Sequence, residues 1–190
     1  MVWVDAGGCG IVALAAASAI RHARRRDPLG ADEGYLWYGV QQVLKGRWPH
    51  RDFKSYEPGR YLWSALFARG FGAGLSPLRR AVHLFFAIGL GAALLALRAR
   101  GLDWPSIALA AFALSAIAHP QHKLFEHAWL LLAWSSCAWL LWAQSAPAWA
   151  SEGAVLGLSL LFGFNLFLYA SAGLALALAI AAPTGFLPFA

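Results

Sequence analysis

The sequence predicts an all-α protein, a polytopic bundle of transmembrane helices, and three observations carry that prediction. Of its 190 residues, 60% are hydrophobic and only 13% charged, whereas water-soluble domains carry about 25% charged residues. Apolar runs recur at lengths near the roughly 20 residues a helix needs to cross the hydrocarbon layer, where helices satisfy every backbone group without water. Ten Trp and five Tyr supply amphipathic rings of the kind that sit at lipid–water boundaries. Nothing in the pattern reads as strand, and a soluble enzyme is the least favoured class.

The first run, Val2 to Ile20, carries Asp5 and the Gly7–Gly8 pair and reads as a membrane helix. A signal peptide has its basic flank before the apolar core, whereas here Arg21, Arg24, Arg25 and Arg26 follow it. The polar loop 21–58 comes next. Within it Leu36, Val40, Val43, Leu44 and Arg47 fall at helical spacing, with Gln41, Gln42 and Lys45 on other faces. Residues 33–45 therefore read as an amphipathic helix lying along the membrane surface. Gly46 ends it, and Pro49 and Pro58 break the stretch RWPHRDFKSYEP into an ordered loop.

From Gly59 the apolar pattern returns as a short second span to about Phe71, and Gly72 to Pro77 form a loop before a third span, Leu78 to Leu97. Further spans are expected at Trp104 to Ala118, about Leu124 to Trp142 and Ala154 to Ala182, the last long enough to tilt or break. Residues 1–190 thus read as one transmembrane domain of about six spans, without tandem repeats. The apolar run starts at the first residues and the sequence stops at PTGFLPFA, which fits a piece of a longer protein as well as a complete chain.

A net charge of +6 on a soluble domain would suggest nucleic acid. Here the basic residues edge apolar spans, so anionic lipid or a phosphorylated lipid substrate is the expected partner, and nucleic acid is not. Cys9 and Cys137 sit within apolar runs without paired spacing, as packing residues rather than a disulfide or a metal knuckle. With six spans, Arg21, Arg24, Arg25, Arg26, Lys45, Arg47, Arg51, Lys54, Arg60, Arg98 and Arg100 share one side, against Arg69, Arg79, Arg80 and Lys123 on the other. The positive-inside rule then places the polar loop in the cytoplasm.

Asp32 and Glu33 are adjacent carboxylates where the loop meets the amphipathic helix. They suit a helix start, where carboxylates accept from free N–H groups and face the positive end of the dipole, and they equally suit chemistry. Arg51, Asp52, Lys54, Tyr56, Glu57 and Arg60 crowd the following loop, interleaved with Trp48, Phe53, Tyr61 and Trp63. Arg51 and Asp52 can also simply pair with each other. In HPQHKLFEH, the residues His119, His122, Glu126 and His127 suggest a metal, but their spacing matches no zinc signature. A helix-end pair of Lys123 with Glu126 accounts for this stretch, or Lys123 meets a carrier phosphate, since ionisable groups in membrane segments tend to mark sites. Asn165 is expected to hydrogen-bond a neighbouring helix.

The order DEGYLWYGVQQVLKG, WPHRDFKSYEPGRYLWSALFARGFG, SPLRRAVHLFFAIGLGAALLALRAR resembles the first third of the GT-C-type membrane glycosyltransferases. These form the superfamily of protein mannosyltransferases and aminoarabinose transferases, and the resemblance covers about residues 30 to 100. HPQHKLFE and GLSLLFGFNLFLY are more loosely similar to bacterial members. In that superfamily an Asp–Glu pair opens the first extracytoplasmic loop, which lies on the membrane and leads through a Pro-containing Tyr/Trp segment into the second span. The resemblance implies a bacterial inner-membrane protein with the polar loop outside, opposite to the charge count. It also implies transfer of a sugar from a polyprenyl-phosphate carrier to an acceptor with inversion.

Such a one-step displacement needs a base, Asp32 with Glu33 as second candidate. Because the leaving group is a phosphate, the site also needs cations, and Arg51, Lys54, Arg60 and Lys123 are the candidates, with Asp52, Tyr56 and Glu57 structuring the loop. No cofactor is called for, and no carboxylate cluster demands a divalent metal. The competing class is a non-catalytic membrane protein, a transporter fragment or assembly subunit whose basic loop binds lipid headgroups or a partner. Sugar, acceptor and oligomeric state stay unassigned.

Overall fold

Apolar runs interrupted by Gly, Pro and charge become helices throughout the part of the chain that this computed structural model describes, namely Gly10, Ala17, residues 31–118 and residues 123–182. Among these residues every regular element is helical, in seven helices. The expected span at 2–20, apart from Gly10 and Ala17, lies outside the described residues, as do Cys9, Arg21, Arg24, Arg25, Arg26, His119 and His122.

Helix α1 is Ala31–Leu44, with Asp32 and Glu33 in its first turn. It ends through Gly46, whose φ of 80° is a left-handed exit that glycine adopts without a Cβ penalty. Its stripe of Leu36, Val40, Val43 and Leu44 packs on Tyr61, Ala65, Ala68 and Leu78, so protein covers the apolar face. Gln42, expected on another face, is buried as well, because its Oε1 accepts from Arg47 Nη1 at 3.0 Å as the chain turns back.

Residues 45–57 link α1 to α2 without a helix. The turn is clasped from both sides: Asp52 N–H donates to Trp48 O at 2.9 Å, and Trp48 N–H donates to Asp52 Oδ2 at 2.6 Å. His50 sits in the left-handed region at φ 65° and is held there by its N–H donating to Ser55 Oγ.

Helix α2, Pro58–Phe71, has its proline in the first turn, where a missing N–H costs nothing. It was expected to be a span, but 14 residues reach only about 21 Å against a hydrocarbon layer of about 30 Å. Helices α3 (Leu75–Ala99), α5 (Leu124–Ala143) and α7 (Phe164–Ala181) are long and apolar enough to cross a membrane, whereas α4 (Trp104–Ile117) and α6 (Ala146–Phe162) are shorter apolar helices. The span expected at 154–182 is therefore two helices. Gly163 separates them: its N–H donates to Ser159 O and its carbonyl accepts from the N–H groups of Leu166 and Phe167, closing one helix and opening the next.

Helices α3 and α5 run side by side in the same direction, Phe85 meeting Phe125 with ring centroids 5.2 Å apart and Gly89 meeting Ala128. A Cβ at Gly89 would lie 2.6 Å from Ala128 O, so the two backbones approach as only glycine permits. Helix α6 returns antiparallel on α5, carrying Phe162 back to stack on Phe85 at 4.8 Å. Phe85, Phe125, Trp129 and Phe162, with Leu90, Leu94 and Ile107, form the main core. The second cluster, of α1, α2 and the start of α3, sits at the end of this bundle where α5 and α7 begin and α6 ends. Wide apolar surface stays uncovered, including Leu109, Phe112 and Ile117 on α4 and Leu168, Leu176 and Ile180 on α7. In water such area is a liability, whereas on α7, which is long and apolar enough to cross a membrane, it suits hydrocarbon.

Candidate functional site

The polar segment meets the helical bundle through Arg60, and the chain around it explains why. Pro58 starts α2, and Gly59 lies so close to α6 that a Cβ would stand 2.6 Å from Leu161 O. That approach brings Arg60 onto the open end of α6, where the last carbonyls have no intrahelical donor and the dipole favours a cation. Arg60 Nη2 donates to Phe162 O at 2.7 Å and pairs with Glu126 Oε1 at 3.4 Å. Its guanidinium also lies over the Tyr56 ring, 5.4 Å from the centroid.

Glu57 makes the complementary link, Oε1 accepting from Phe164 N–H at 3.3 Å at the start of α7, where free N–H groups favour an anion. The beginnings of α2, α5 and α7 and the end of α6 therefore converge on Arg60, Tyr56, Glu57 and Glu126. Around this knot Arg60 Nε, Glu126 Oε2 and Trp129 Nε1 are buried without a hydrogen-bond partner among the described residues. Most buried polar atoms find a partner, so the N–H groups here have unmet capacity for water or ligand oxygens, and Glu126 Oε2 for a water or another donor.

The other candidates are engaged elsewhere. Glu33 receives two parallel bonds from Arg79, 2.6 Å from Nε and 2.8 Å from Nη2, with both side chains about four-fifths buried. A carboxylate gripped in this bidentate way joins α1 to α3 and is poorly placed to accept a substrate proton. Arg51 forks onto Asp52 at 2.9 Å through Nε and Nη2. That pair, together with Trp48 N–H, lowers the Asp52 carboxyl to about 2 and raises the Arg51 guanidinium.

Lys54 is exposed, and its carbonyl accepts from Tyr35 O–H at 2.7 Å. Tyr56 N–H donates to the hydroxyl of Tyr61 at 3.0 Å, and its ring meets Tyr35 edge-on. Tyr61 is wholly buried and so anchors the loop from inside. Asp32 is exposed in the first turn of α1. Lys123 is exposed just before α5.

The pair expected between Lys123 and Glu126 does not form, because the Glu126 face of α5 turns to α2 and takes Arg60 instead. Asn165, in the first turn of α7, is exposed and makes no side-chain hydrogen bond among the described residues. Arg79, the carbonyl of Phe162 and the role of Glu126 toward Arg60 escaped sequence reasoning. Their partners stand 46, 102 and 66 residues away, and no local spacing encodes such contacts. Among the described residues no three His, Cys, Asp or Glu side chains group as a metal site. No protein family matches the chain, and no curated protein or solved structure matches it either.

Proposed function

We propose that this chain is an integral-membrane glycosyltransferase-like protein, which moves a sugar from a polyprenyl-phosphate carrier to an acceptor with inversion. The observation that supports this reading best is the knot at Arg60, where buried polar atoms with unmet hydrogen bonds lie at the end of helices long enough to cross a bilayer. A carrier lipid running along the bundle would present its phosphate at that level. In this reading α1 and loop 45–57 lie on the extracytoplasmic face of a bacterial inner membrane, with the exposed rings of Trp37, Tyr38, Trp48 and Tyr56 at the headgroups. Lys54 and Lys123, exposed and joined to no carboxylate among the described residues, bring mobile positive charge to the leaving phosphate. Arg60 orients it, and Asp32 takes the acceptor proton. Glu33 serves as a strut through Arg79.

The test is a transfer assay with the full chain in liposomes and a polyprenyl-phosphate-linked sugar. Asp32→Asn abolishes turnover while donor binding persists; activity equal to the parent would remove Asp32 from the base role. A second reading, a non-catalytic membrane protein that holds lipid headgroups or a partner, draws on the pairing of Arg51, Arg60 and Arg79 with carboxylates, which is what a structural segment needs. Headgroup binding by the parent without any transfer would favour it.

A further inference from the structure

Glu152 lies near the middle of α6, only 2% exposed, among apolar helices, and none of the contacts at Arg60 uses it. Its Oε2 meets the hydroxyl of Ser136 on α5, and its Oε1 is buried with no hydrogen-bond partner. Ser136 Oγ also lies 3.2 Å from Ala133 O, within donating distance.

The hydrogen inventory decides which form of the carboxyl belongs here. An ionised carboxylate offers about four acceptor sites and can donate nothing. With Ser136 as its one donor among the described residues it would have one bond, leave a charged oxygen bare and deprive the Ala133 carbonyl of its approach from Ser136. No Lys, Arg or His among the described residues pairs with it: the titratable group that α5 turns towards it is Cys137, half-buried one position from Ser136. Helix α7 contributes only the exposed Tyr169, and α2 meets α6 at its far end through Arg60. A buried charge without a counter-ion is far costlier than a buried neutral acid. The neutral acid fits better: its O–H donates to Ser136 Oγ, whose own O–H donates to Ala133 O, and a carbonyl-type Oε1 tolerates a missing donor better than a charged oxygen does.

We infer that Glu152 is a proton-binding site inside the helix bundle, held as a neutral acid that donates to Ser136 and so bolts α6 to α5. The site takes a proton as its ligand, and the inference does not depend on glycosyl transfer.

Infrared spectroscopy of the full chain in liposomes at neutral pH tests it. Asp32 and Asp103 are exposed, and Glu33, Asp52, Glu57 and Glu126 are each bonded to a cation or a backbone N–H, so among the described acids it is Glu152 that gives a protonated-carboxyl C=O stretch. Glu152→Gln, which keeps the shape of the neutral acid, loses that band. Ser136→Ala keeps the band and moves it to higher frequency, because the acid has lost its acceptor. A parent spectrum with no protonated-carboxyl band overturns the inference directly. So does a band that Glu152→Gln leaves undiminished, or one with no component that moves in Ser136→Ala; the Ser136 variant decides the matter even if Glu152→Gln fails to fold.

Discussion

Arg60 ties the polar segment to α5 and α6, and a double-mutant cycle with Glu126 measures how much of that tie is the ion pair. At 3.4 Å the attraction of two unit charges is about 5 kcal/mol at an effective dielectric near 20. Desolvating both groups takes back most of that, leaving a coupling of about 1–2 kcal/mol. The charge-assisted bond to Phe162 O at 2.7 Å adds about 1.5–3 kcal/mol that Glu126 does not share. Arg60→Ala should therefore destabilise by about 3–4 kcal/mol and Glu126→Gln by about 1–2 kcal/mol, with the double variant close to Arg60→Ala alone. Arg60→Lys keeps a cation but loses the fork and falls between them. Reversible unfolding of the purified chain in mixed micelles, followed by Trp fluorescence, reads all four species. Effects of Arg60→Ala and Glu126→Gln that add to within about 0.5 kcal/mol would show that the two side chains do not work as a pair, and the knot would dissolve with them.

Two glycines of α3 offer a matched contrast. A Cβ at Gly89 meets the Ala128 backbone while one at Gly91 meets nothing within 4 Å, so Gly89→Ala should cost about 1–3 kcal/mol and Gly91→Ala should be neutral or stabilising by up to about 1 kcal/mol in the same unfolding assay. The Asp52 clasp is pH-dependent: its carboxyl titrates near 2 when folded against an ordinary 3.8, so the clasp is fully present above about pH 4 and is lost as pH falls from there towards 2. Limited proteolysis between residues 47 and 57 should accelerate over that window in the parent, and Asp52→Asn should be cut quickly at neutral pH too. Exchanging the strut charges, Glu33→Arg with Arg79→Glu, should restore the thermal midpoint lost in either single variant.

The sequence made the helices legible wherever Gly, Pro or charge bounded an apolar run. Gly46 and Pro58 delimit the linker between α1 and α2, and Asp103 caps α4 by accepting from Ser106 N–H at 3.0 Å. It hid the break at Gly163 because LLFGFNLF stays apolar on both sides, and a lone glycine does not distinguish one tilted helix from two. Of the aromatics interleaved with charge in the polar loop, Tyr61 is fully buried and Phe53 packs on it, while Trp48 and Tyr56 remain exposed. Periodicity alone could not sort them, since the sorting depends on where α1 crosses α2. The candidate site was legible as a set of charges and illegible as a set of pairs. Glu33 and Arg79, or Arg60 and Glu126, are brought together only by how α1 and α2 fold back on α3 and α5.

Those pairs alter where a phosphate can be held. Arg51, Arg60 and Arg79 each face a carboxylate, so these three arginines contribute little net field at the end of the bundle. Lys54 and Lys123, by contrast, are exposed and pair with no carboxylate among the described residues, as is true of Lys45 and Arg47, the latter bonded to the neutral Gln42. A long stem and a compact ammonium let each follow a lipid phosphate at little cost in packing, whereas moving Arg60 would uncover Glu126 and the Phe162 carbonyl. Each lysine near an anionic surface is worth about 1 kcal/mol. Lys54→Gln with Lys123→Gln should therefore weaken binding of a short-chain polyprenyl phosphate in detergent by about 2 kcal/mol, or roughly thirtyfold, without moving the thermal midpoint. Arg79→Gln should do the reverse, lowering the midpoint and leaving affinity within about a factor of two, because its charge is already spent on Glu33. Isothermal titration beside a thermal scan separates the two. Lysine variants that bind the phosphate as tightly as the parent would return the role to the arginines, and with it the need for Arg60 to release Glu126 on binding.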